Sequence, residues 1–512
     1  MAVFVVRRLF VSLLTLLVSS FLVYVLVANS GDPLGDLRTD ASANKADKIA
    51  HRIQVMHLDQ AVPHRYLTWL GGAARCLVPG GRCDLGKNVR DQDVTALLSL
   101  AVGSTVRLVT AATLLAVLLG VSVGVVSSLR QYSGFDYTIT FGAFLFFSLP
   151  VFWVAVLLKQ YLAIGVNNWY EDPKIGLLTT VLLSLLSGVT WGAVVAGTRP
   201  RRWLVRGGSS ALTFGVLIYL SSVNWFRFPA LGPGLITVLA FGGAVGIAFL
   251  VAGLKRRGVL YACLATAAVG CGVQFVVTPW LQDPEWSSWL NLLVLLVISG
   301  LVAGGIGYAF GGLDRGPAIR AALMTAFLTG LLIVLDILLR TVPGYADLVN
   351  GRIFATTGSQ TPNFDGTFWQ RQLDIFSHLL LPTLSIMLIS FATYSRYSRA
   401  TMLDVMNQDY VRTARSKGLT ERTVVMRHAF RNALIPVTTL AALDFGALIG
   451  GAVITEYVFG WQGMGNLFIG GLLQTDPNPV MGFYVVTAIS IVVFNLLADL
   501  AYAYLDPRIR LS

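Results

Sequence analysis

Long apolar runs separated by short polar or charged segments form the main pattern of this sequence. The first run covers residues 9–27 and the last covers residues 480–500. A helix of about 20 mainly apolar residues is long enough to cross the hydrocarbon layer of a bilayer. Because the runs match that length, the pattern predicts an all-α protein whose helices cross a membrane repeatedly.

The charges between the runs predict which side of the membrane each segment occupies. Lys and Arg favour the cytoplasmic loops of membrane proteins. They collect in every second polar segment, at Arg7/Arg8, Arg130, Arg199–Arg206, Lys255–Arg257, Arg315/Arg320, 396–431 and Arg508/Arg510. The segments between them are 30–93, 167–174, 224–233, 278–286, 342–374 and 457–479. This alternation predicts about twelve transmembrane helices with both termini in the cytoplasm.

Composition supports this class and excludes others. Of the 512 residues, 55% are hydrophobic and 12% charged, and the mean hydropathy is +0.70. A soluble domain could not bury so much apolar surface. The net charge of +12 does not predict a nucleic-acid partner, because the basic residues form no continuous basic helix with interleaved aromatics. The first apolar run exceeds a signal-peptide core and no small-residue cleavage site follows, so it is expected to be retained.

The polar segment from Asp409 to Val437 is the longest polar break in the second half of the chain. Residues 407–417 contain no helix breaker, and Gly418 is placed to end that helix in a left-handed conformation. Thr420 can cap a second helix with Glu421 in its first turn, and Pro436 is expected to mark the next crossing. The prediction is a helix, a glycine elbow and a second helix at the cytoplasmic surface.

This segment resembles the "EAA" loop of ABC-importer permeases, whose first helix fits a groove on an ATPase subunit. The glycine of the motif falls on Gly418 and its second alanine on Ala414, whereas Arg412 and Thr413 replace the usual Glu and Ala. The Arg-Thr-Ala version is similar to that of the dipeptide, oligopeptide and nickel branch. The resemblance implies that the ATPase-coupling residues are Asp409, Tyr410, Arg412, Thr413, Ala414, Lys417, Gly418 and Leu419.

Other stretches resemble the same family in the same order. They are HLDQAVPHRYLTWLGG (57–72), CDLGKN (83–88), SLPVFW (148–153), HLLLPTLSI (378–386), GGAVITEYVFGWQGMG (450–465) and DPRIRL (506–511). The family implies a six-helix permease core in a bacterial inner membrane that imports peptides or similar solutes. It also implies three kinds of partner: a second homologous permease, two ATPase subunits and an extracytoplasmic substrate-binding protein. No cofactor is expected in this chain, because ATP and magnesium would bind the ATPases.

A large insertion separates the two halves of this resemblance. The family has a short external connection where this chain has six further apolar runs. Both ends of the insertion are expected outside, so an even number of crossings is required. The predicted divisions are a first transmembrane helix (1–29), an external segment (30–95), core helices 2–3 (96–169), inserted helices (170–341), an external loop (342–374) and core helices 4–6 (375–512) with a coupling loop (396–436).

Carboxylates inside apolar runs are candidates for function, because a charge at the bilayer centre is costly. Asp444 follows the coupling loop and is predicted to line the transport pathway with Gly446 and Gly450. Asp336 can pair with Arg340, and Asp499 lies near the inner end. Close helix contacts are expected at the small-xxx-small pairs Gly242/Gly246, Gly300/Gly304 and Gly446/Gly450.

Two further motifs are weaker. Cys76 and Cys83 lie in an outside segment, so they are either joined in a disulfide or two free thiols. Gly81 to Lys87 has phosphate-loop spacing, but Asn88 replaces the Ser or Thr that would bind magnesium. No Cys, His, Asp or Glu cluster with metal-ligand spacing is found.

Three other functions compete with a peptide importer. An ion-coupled secondary transporter would use several intramembrane carboxylates, which are sparse here. A membrane enzyme would need a convergent cluster of Asp, His or Cys near a membrane face. A permease of the same family for nickel or another solute stays open, because the binding protein usually selects the substrate.

Overall fold

The computed structural model describes residues 2–76, 80–195 and 198–505. The chain divides into two compact units. Unit 1 contains the described residues within 1–162, 356–359 and 379–512, and unit 2 contains those within 163–355 and 360–378. The described residues form helices and no strand, apart from one isolated bridge between Lys87 and Asp93.

The first part of unit 1 begins with a long apolar helix and a small helical segment. Its helices are α1 (Ala2–Ala28), α2 (Gly35–Arg38), α3 (Lys45–Met56), α4 (Val62–Arg75), α5 (Val94–Leu129), α6 (Gly134–Ser148) and α7 (Val151–Leu157), followed by a π-helical segment (Leu158–Ile164). Pro150 separates α6 from α7, because proline lacks the backbone N–H that would continue the helix.

Unit 2 consists mainly of long apolar helices. They are α8 (Gly165–Glu171), α9 (Leu177–Val194), α10 (Arg199–Ser222), α11 (Gly232–Ala252), α12 (Arg257–Gln282), α13 (Trp289–Gly311) and α14 (Arg315–Leu348), with a 3₁₀ turn (Gly312–Asp314) before α14. Helices α9 to α14 coincide with the six inserted apolar runs. Asp336 accepts hydrogen bonds from the backbone N–H groups of Leu231 and Gly232 and from Arg340 Nε at 2.8 Å, so the predicted pair with Arg340 is confirmed.

The remaining helices complete unit 1 from residue 379 onward. They are α15 (Phe368–Met406), α16 (Asp409–Ser416), α17 (Glu421–Thr423), a π-helical segment (Val424–Ala429), α18 (Phe430–Gly451), α19 (Val453–Phe459), α20 (Met464–Leu473) and α21 (Pro477–Leu505). A buried aromatic group joins the segment after α1 to α1 itself. There, Ser20 Oγ lies 2.8 Å from the hydroxyl of Tyr66, and the Tyr66 and Trp69 rings stack 6.2 Å apart.

The described helices confirm the predicted fold class. Ten stretches are long and apolar enough to cross a membrane, and one of them, Trp289–Leu348, contains both α13 and α14. Helix α1 adds a further apolar helix of 27 residues. The described part of the chain therefore holds twelve helices able to cross, which matches the count from the sequence.

Close helix contacts form at one of the three predicted glycine pairs. A Cβ added to Gly446 would lie 2.9 Å from Phe494 Cβ, and one added to Gly450 would lie 2.4 Å from Thr487 Cγ2. Only glycine therefore allows α18 to approach α21 this closely, and the prediction is confirmed for this pair.

The other two predicted pairs do not mediate close contacts. A Cβ at Gly242, Gly246 or Gly304 would meet no described heavy atom within 4 Å, and one at Gly300 would only touch Leu323 Cδ2 at 3.9 Å. That prediction was wrong because spacing alone does not say which face of a helix meets its neighbour. A Cβ added to Gly120 would lie 2.6 Å from Tyr394 Cβ, and one added to Gly124 would lie 2.5 Å from the Ser395 carbonyl oxygen, so these two glycines allow α5 to approach α15 closely.

Candidate functional site

The predicted coupling helix is α16, which spans the eight residues Asp409–Ser416. The sequence predicted a helix over 407–417. Instead α15 continues to Met406, and Asn407 and Gln408 form the turn into α16. The helix is shorter than expected because Asn407 and Gln408 belong to this turn and not to α16. No proline or glycine in the sequence indicates a turn there.

The glycine elbow is confirmed. Gly418 has φ +75°, a left-handed conformation that L side chains rarely adopt. A Cβ there would meet no described atom within 4 Å, so glycine is required by the backbone conformation rather than by space. The N–H of Gly418 donates to the Arg415 carbonyl at 2.9 Å, which closes the end of α16.

The second helix differs from the prediction in two ways. Thr420 occupies the N-cap position, but its hydroxyl contacts that of Thr423 at 2.9 Å rather than a backbone N–H. From Glu421 the chain stays helical through α17, the π-helical segment and α18, with Pro436 inside α18. Pro436 therefore does not begin the crossing.

An ion pair spans the elbow, and the sequence reasoning missed it. Arg415 Nη2 lies 2.8 Å from Glu421 Oε1, and its Nε lies 3.2 Å from the other carboxylate oxygen. Glu421 had been assigned only to the helix dipole. Because the two side chains are 41% and 61% exposed, the pair contributes little stability, on the order of 0.5 kcal/mol.

One face of α16 packs against the protein and the other faces solvent. Val411 and Ala414 are buried with Val424 of the π-helical segment, against Val405 and Met406 at the end of α15. Their spacing of three residues places them on one face of the helix. The predicted coupling residues that are exposed are Asp409, Tyr410, Arg412, Thr413, Lys417, Gly418 and Leu419, and Arg415 and Ser416 of α16 are exposed as well. Of the predicted coupling residues, only Ala414 is a packing residue.

A groove of about 900 Å³ lies beside the elbow. Its apolar lining includes Leu129, Leu403, Met406, Val425 and Met426, and the ion pair of the elbow stands at its edge. The surface around α16 therefore combines exposed basic residues with a depression lined by both apolar and polar side chains.

An ion pair with a buried carboxylate joins two of the helices next to this surface. Arg399 of α15 donates two hydrogen bonds to Asp136 of α6, at 2.8 and 2.9 Å. Asp136 also accepts from Ser127 Oγ and from the backbone N–H of Tyr132. Asp136 is 3% exposed, so the turn between α5 and α6 is fixed to α15, which leads directly into α16.

The motif at 450–465 is organised around one buried carboxylate. Glu456 is fully buried and accepts hydrogen bonds from Thr105 Oγ1 at 2.7 Å and from the Gly465 N–H at 2.6 Å. A Cβ at Gly463 would lie 2.4 Å from Glu456 Oε2, so glycine leaves the space that the carboxylate occupies. In the sequence, the only indication that Glu456 organises this motif is an acidic residue with glycines on both sides along the segment.

Asp444 lies in α18, where its Oδ2 accepts a hydrogen bond from the Tyr394 hydroxyl at 2.8 Å. Gly446 and Gly450 lie in the contact with α21. For all three residues, lining of a transport pathway stays a prediction. Asp499 and the tail 506–511 carried further sequence interpretations, and their side chains lie outside the described residues.

Comparison with known proteins decides the family. Residues 116–511 match the model of the family described as "Binding-protein-dependent transport system inner membrane component". The chain belongs to this family. The matched range includes α16, the elbow, Asp444 and Glu456, so each feature of the site lies within the permease family's own region.

Individual relatives agree with this assignment. The oligopeptide transport system permease protein OppB of Mycobacterium tuberculosis (strain H37Rv) is 38% identical over 229 residues, which cover 44% of this chain and 70% of the relative. AppB of Bacillus subtilis, another oligopeptide permease protein, is 43% identical over 162 residues, covering 32% and 50%. The dipeptide permease protein DppB of Escherichia coli K12 is 42% identical over 146 residues, covering 28% and 42%.

The permease's segment after α1 is attached to the loop before α21. Asp476 is buried, and its side chain accepts from the N–H groups of Val89 and Asn478 at 2.7 and 3.2 Å. Asn478 Nδ2 donates to the Lys87 carbonyl at 2.7 Å. The structure also joins Cys76 to Cys83 by a disulfide in the same segment.

This attachment is expected to depend on pH. Burial raises the pKa of Asp476 from 3.8 to about 6, although the two N–H donors oppose the shift. The folded state therefore binds more protons than the unfolded state between about pH 4 and 6, so the contribution of Asp476 to stability falls as pH rises through that window. The difference in thermal unfolding midpoint between wild type and Asp476→Asn should change over pH 4 to 6 and stay constant above pH 7. A difference that is flat throughout would contradict the assignment.

Proposed function

We propose that this chain is a transmembrane permease subunit of an ATP-driven importer for dipeptides, oligopeptides or similar small solutes. The family match, and relatives named as oligopeptide and dipeptide permeases, support this function. The observation that carries it is α16, a short helix anchored by Val411 and Ala414 and exposed along its basic face. Such a helix is suited to enter a groove on a partner chain.

The proposed mechanism is alternating access driven by separate ATPases. ATP and magnesium bind the partner chains, and no covalent chemistry takes place in this subunit. Nucleotide can shift the permease between two arrangements only by favouring one of them, and α16 would transmit that difference. The packing of Val411 and Ala414 against Val405 and Met406 would make α16 move together with the end of α15, and the Asp136–Arg399 pair would extend that motion to α6.

The proposal includes the remaining partners and the location. A second homologous permease would complete the pathway, and two ATPase subunits would contact the two coupling helices. A substrate-loaded binding protein would meet the segment 30–93. The chain would lie in a bacterial inner membrane with both termini in the cytoplasm, because its basic segments then face inward.

Co-purification from native membranes tests the ATPase partner. The variant Tyr410→Ala/Arg412→Glu changes only the exposed face of α16, where the Arg412 side chain is 69% exposed. We expect it to retain the second permease and to lose most of the bound ATPase, since reversing a charge in an interface strongly weakens binding. Mass spectrometry of the purified complex measures both partners.

Lys255→Glu is the matched control, because Lys255 is another exposed basic residue that lies in unit 2. It should keep wild-type amounts of both partners. If wild type retains no ATPase under conditions that preserve the second permease, the importer proposal fails. If both variants behave like wild type, α16 is not the contact.

A further inference from the structure

We propose that Asp444 binds the positively charged amino terminus of a transported peptide inside the membrane. This inference rests on the proposed function and adds to it a residue that contacts the substrate and the chemical group that it recognises.

Asp444 lies near the middle of its crossing. It follows Arg431, the last basic residue of the predicted inner segment, by 13 residues and precedes Glu456 by 12. At about 1.5 Å per residue it is roughly 20 Å along the helix from Arg431. Ionisable side chains at such depth almost always face the interior of a helix bundle or a water-filled cavity. Asp444 is therefore expected to face away from lipid.

The hydrogen bonding of Asp444 is incomplete. One carboxylate oxygen accepts from Tyr394, which is fully buried and is held against α5 at Gly120. Asp444 itself is only half-buried. Among the described residues, no Lys, Arg or His pairs with it, and its second oxygen accepts no hydrogen bond. The site supplies one neutral donor on one side and leaves the carboxylate open on the other.

Glu456 shows what a structural carboxylate looks like in the same unit. It is fully buried, and both of its oxygens accept hydrogen bonds from groups of the chain itself. Asp444 has neither property. A carboxylate that is held in place on one side and open on the other can accept a hydrogen bond from a cation that arrives and leaves.

A free peptide supplies such a cation, because its α-amino group is protonated at neutral pH. An ammonium group can donate to the open oxygen of Asp444 while the Tyr394 hydroxyl holds the other. Hydrogen bonds in which the donor or the acceptor is charged are about twice as strong as neutral ones. The geometry therefore points to a transient contact with the peptide amino terminus rather than with its carboxylate.

Chemical modification of a cysteine at this position tests both access and charge. The complete complex, with both permeases, the ATPases and the binding protein, is reconstituted in proteoliposomes. Uptake of radiolabelled trialanine is measured for Asp444→Cys in a background in which the buried thiols Cys263 and Cys271 are replaced by alanine. The complex is treated with an anionic methanethiosulfonate, which adds a sulfonate, or with a cationic one, which adds a trimethylammonium group.

We expect Asp444→Cys to transport trialanine about tenfold more slowly than its parent. The anionic reagent should restore uptake by at least about threefold, whereas the cationic reagent should lower it further. Thr438→Cys is the matched control, because Thr438 is exposed on the same helix and bonds only to the Leu434 carbonyl. Its response should not depend on the sign of the added charge.

Several results would overturn the inference. They are wild-type uptake by Asp444→Cys, a thiol that does not react in the working complex, and equal effects of the two reagents. A structural role would be shown by Asp444→Cys that loses its partners on purification. Failure of the proposed function has a different signature, since the parent complex would then bind no ATPase or take up no trialanine before any change at Asp444.

Discussion

The variant Glu456→Ala is expected to destabilise unit 1 by roughly 3 to 4 kcal/mol, the largest effect of any single substitution predicted for this chain. Removing the carboxylate leaves the Thr105 hydroxyl and the Gly465 N–H without the acceptor that each now contacts. Both groups are buried, so no solvent replaces it. The thermal unfolding midpoint of the purified chain in detergent measures the loss.

Two comparisons separate this explanation from a simple loss of volume. Glu456→Gln has the same size but presents an N–H₂ group to one of the two donors, so it should lose about half as much stability. Glu285→Ala removes an exposed carboxylate from unit 2 and should change the midpoint little. If Glu456→Gln unfolds at the wild-type temperature, loss of the hydrogen bonds to the carboxylate does not explain the destabilisation by Glu456→Ala.

The second large effect is expected at Arg399, whose replacement by methionine should cost about 3 kcal/mol. Arg399 donates both hydrogen bonds that balance the charge of Asp136, and Asp136 is 3% exposed. Without Arg399, a buried carboxylate keeps only the donors from Ser127 and Tyr132. The measurement is again the thermal midpoint, together with ATPase retained on purification, because this pair supports the base of α16.

A double variant tests the electrostatic cause. Asp136→Leu/Arg399→Met removes both charges, so it should be more stable than Arg399→Met alone. If the double variant is less stable than wild type by the sum of the losses of the two single variants, the two side chains act independently. In that case the packing of their aliphatic parts, and not the ion pair, joins α6 to α15.

The coupling segment shows which structural features a local sequence pattern can predict and which it cannot. The left-handed conformation of Gly418 could be predicted because helices often end at a glycine with positive φ, and a helix-forming stretch precedes this glycine. The residue at which α16 begins and the continuation of α18 through Pro436 could not be predicted from the local sequence. A proline is tolerated inside a membrane helix where neighbouring helices and side chains satisfy the freed backbone groups, and that depends on the surroundings.

The sequence by itself determined the number of crossing helices, the family and the glycine elbow, because each is encoded in local composition or in a short motif. Only the tertiary structure decided which glycines bring helices together, and that Glu456 accepts from Thr105 and Asp136 pairs with Arg399. These partners lie 351 and 263 residues apart in the chain. A carboxylate looks the same in sequence whether its partner is a distant side chain, a backbone N–H or a substrate, since only packing sets which of them it meets.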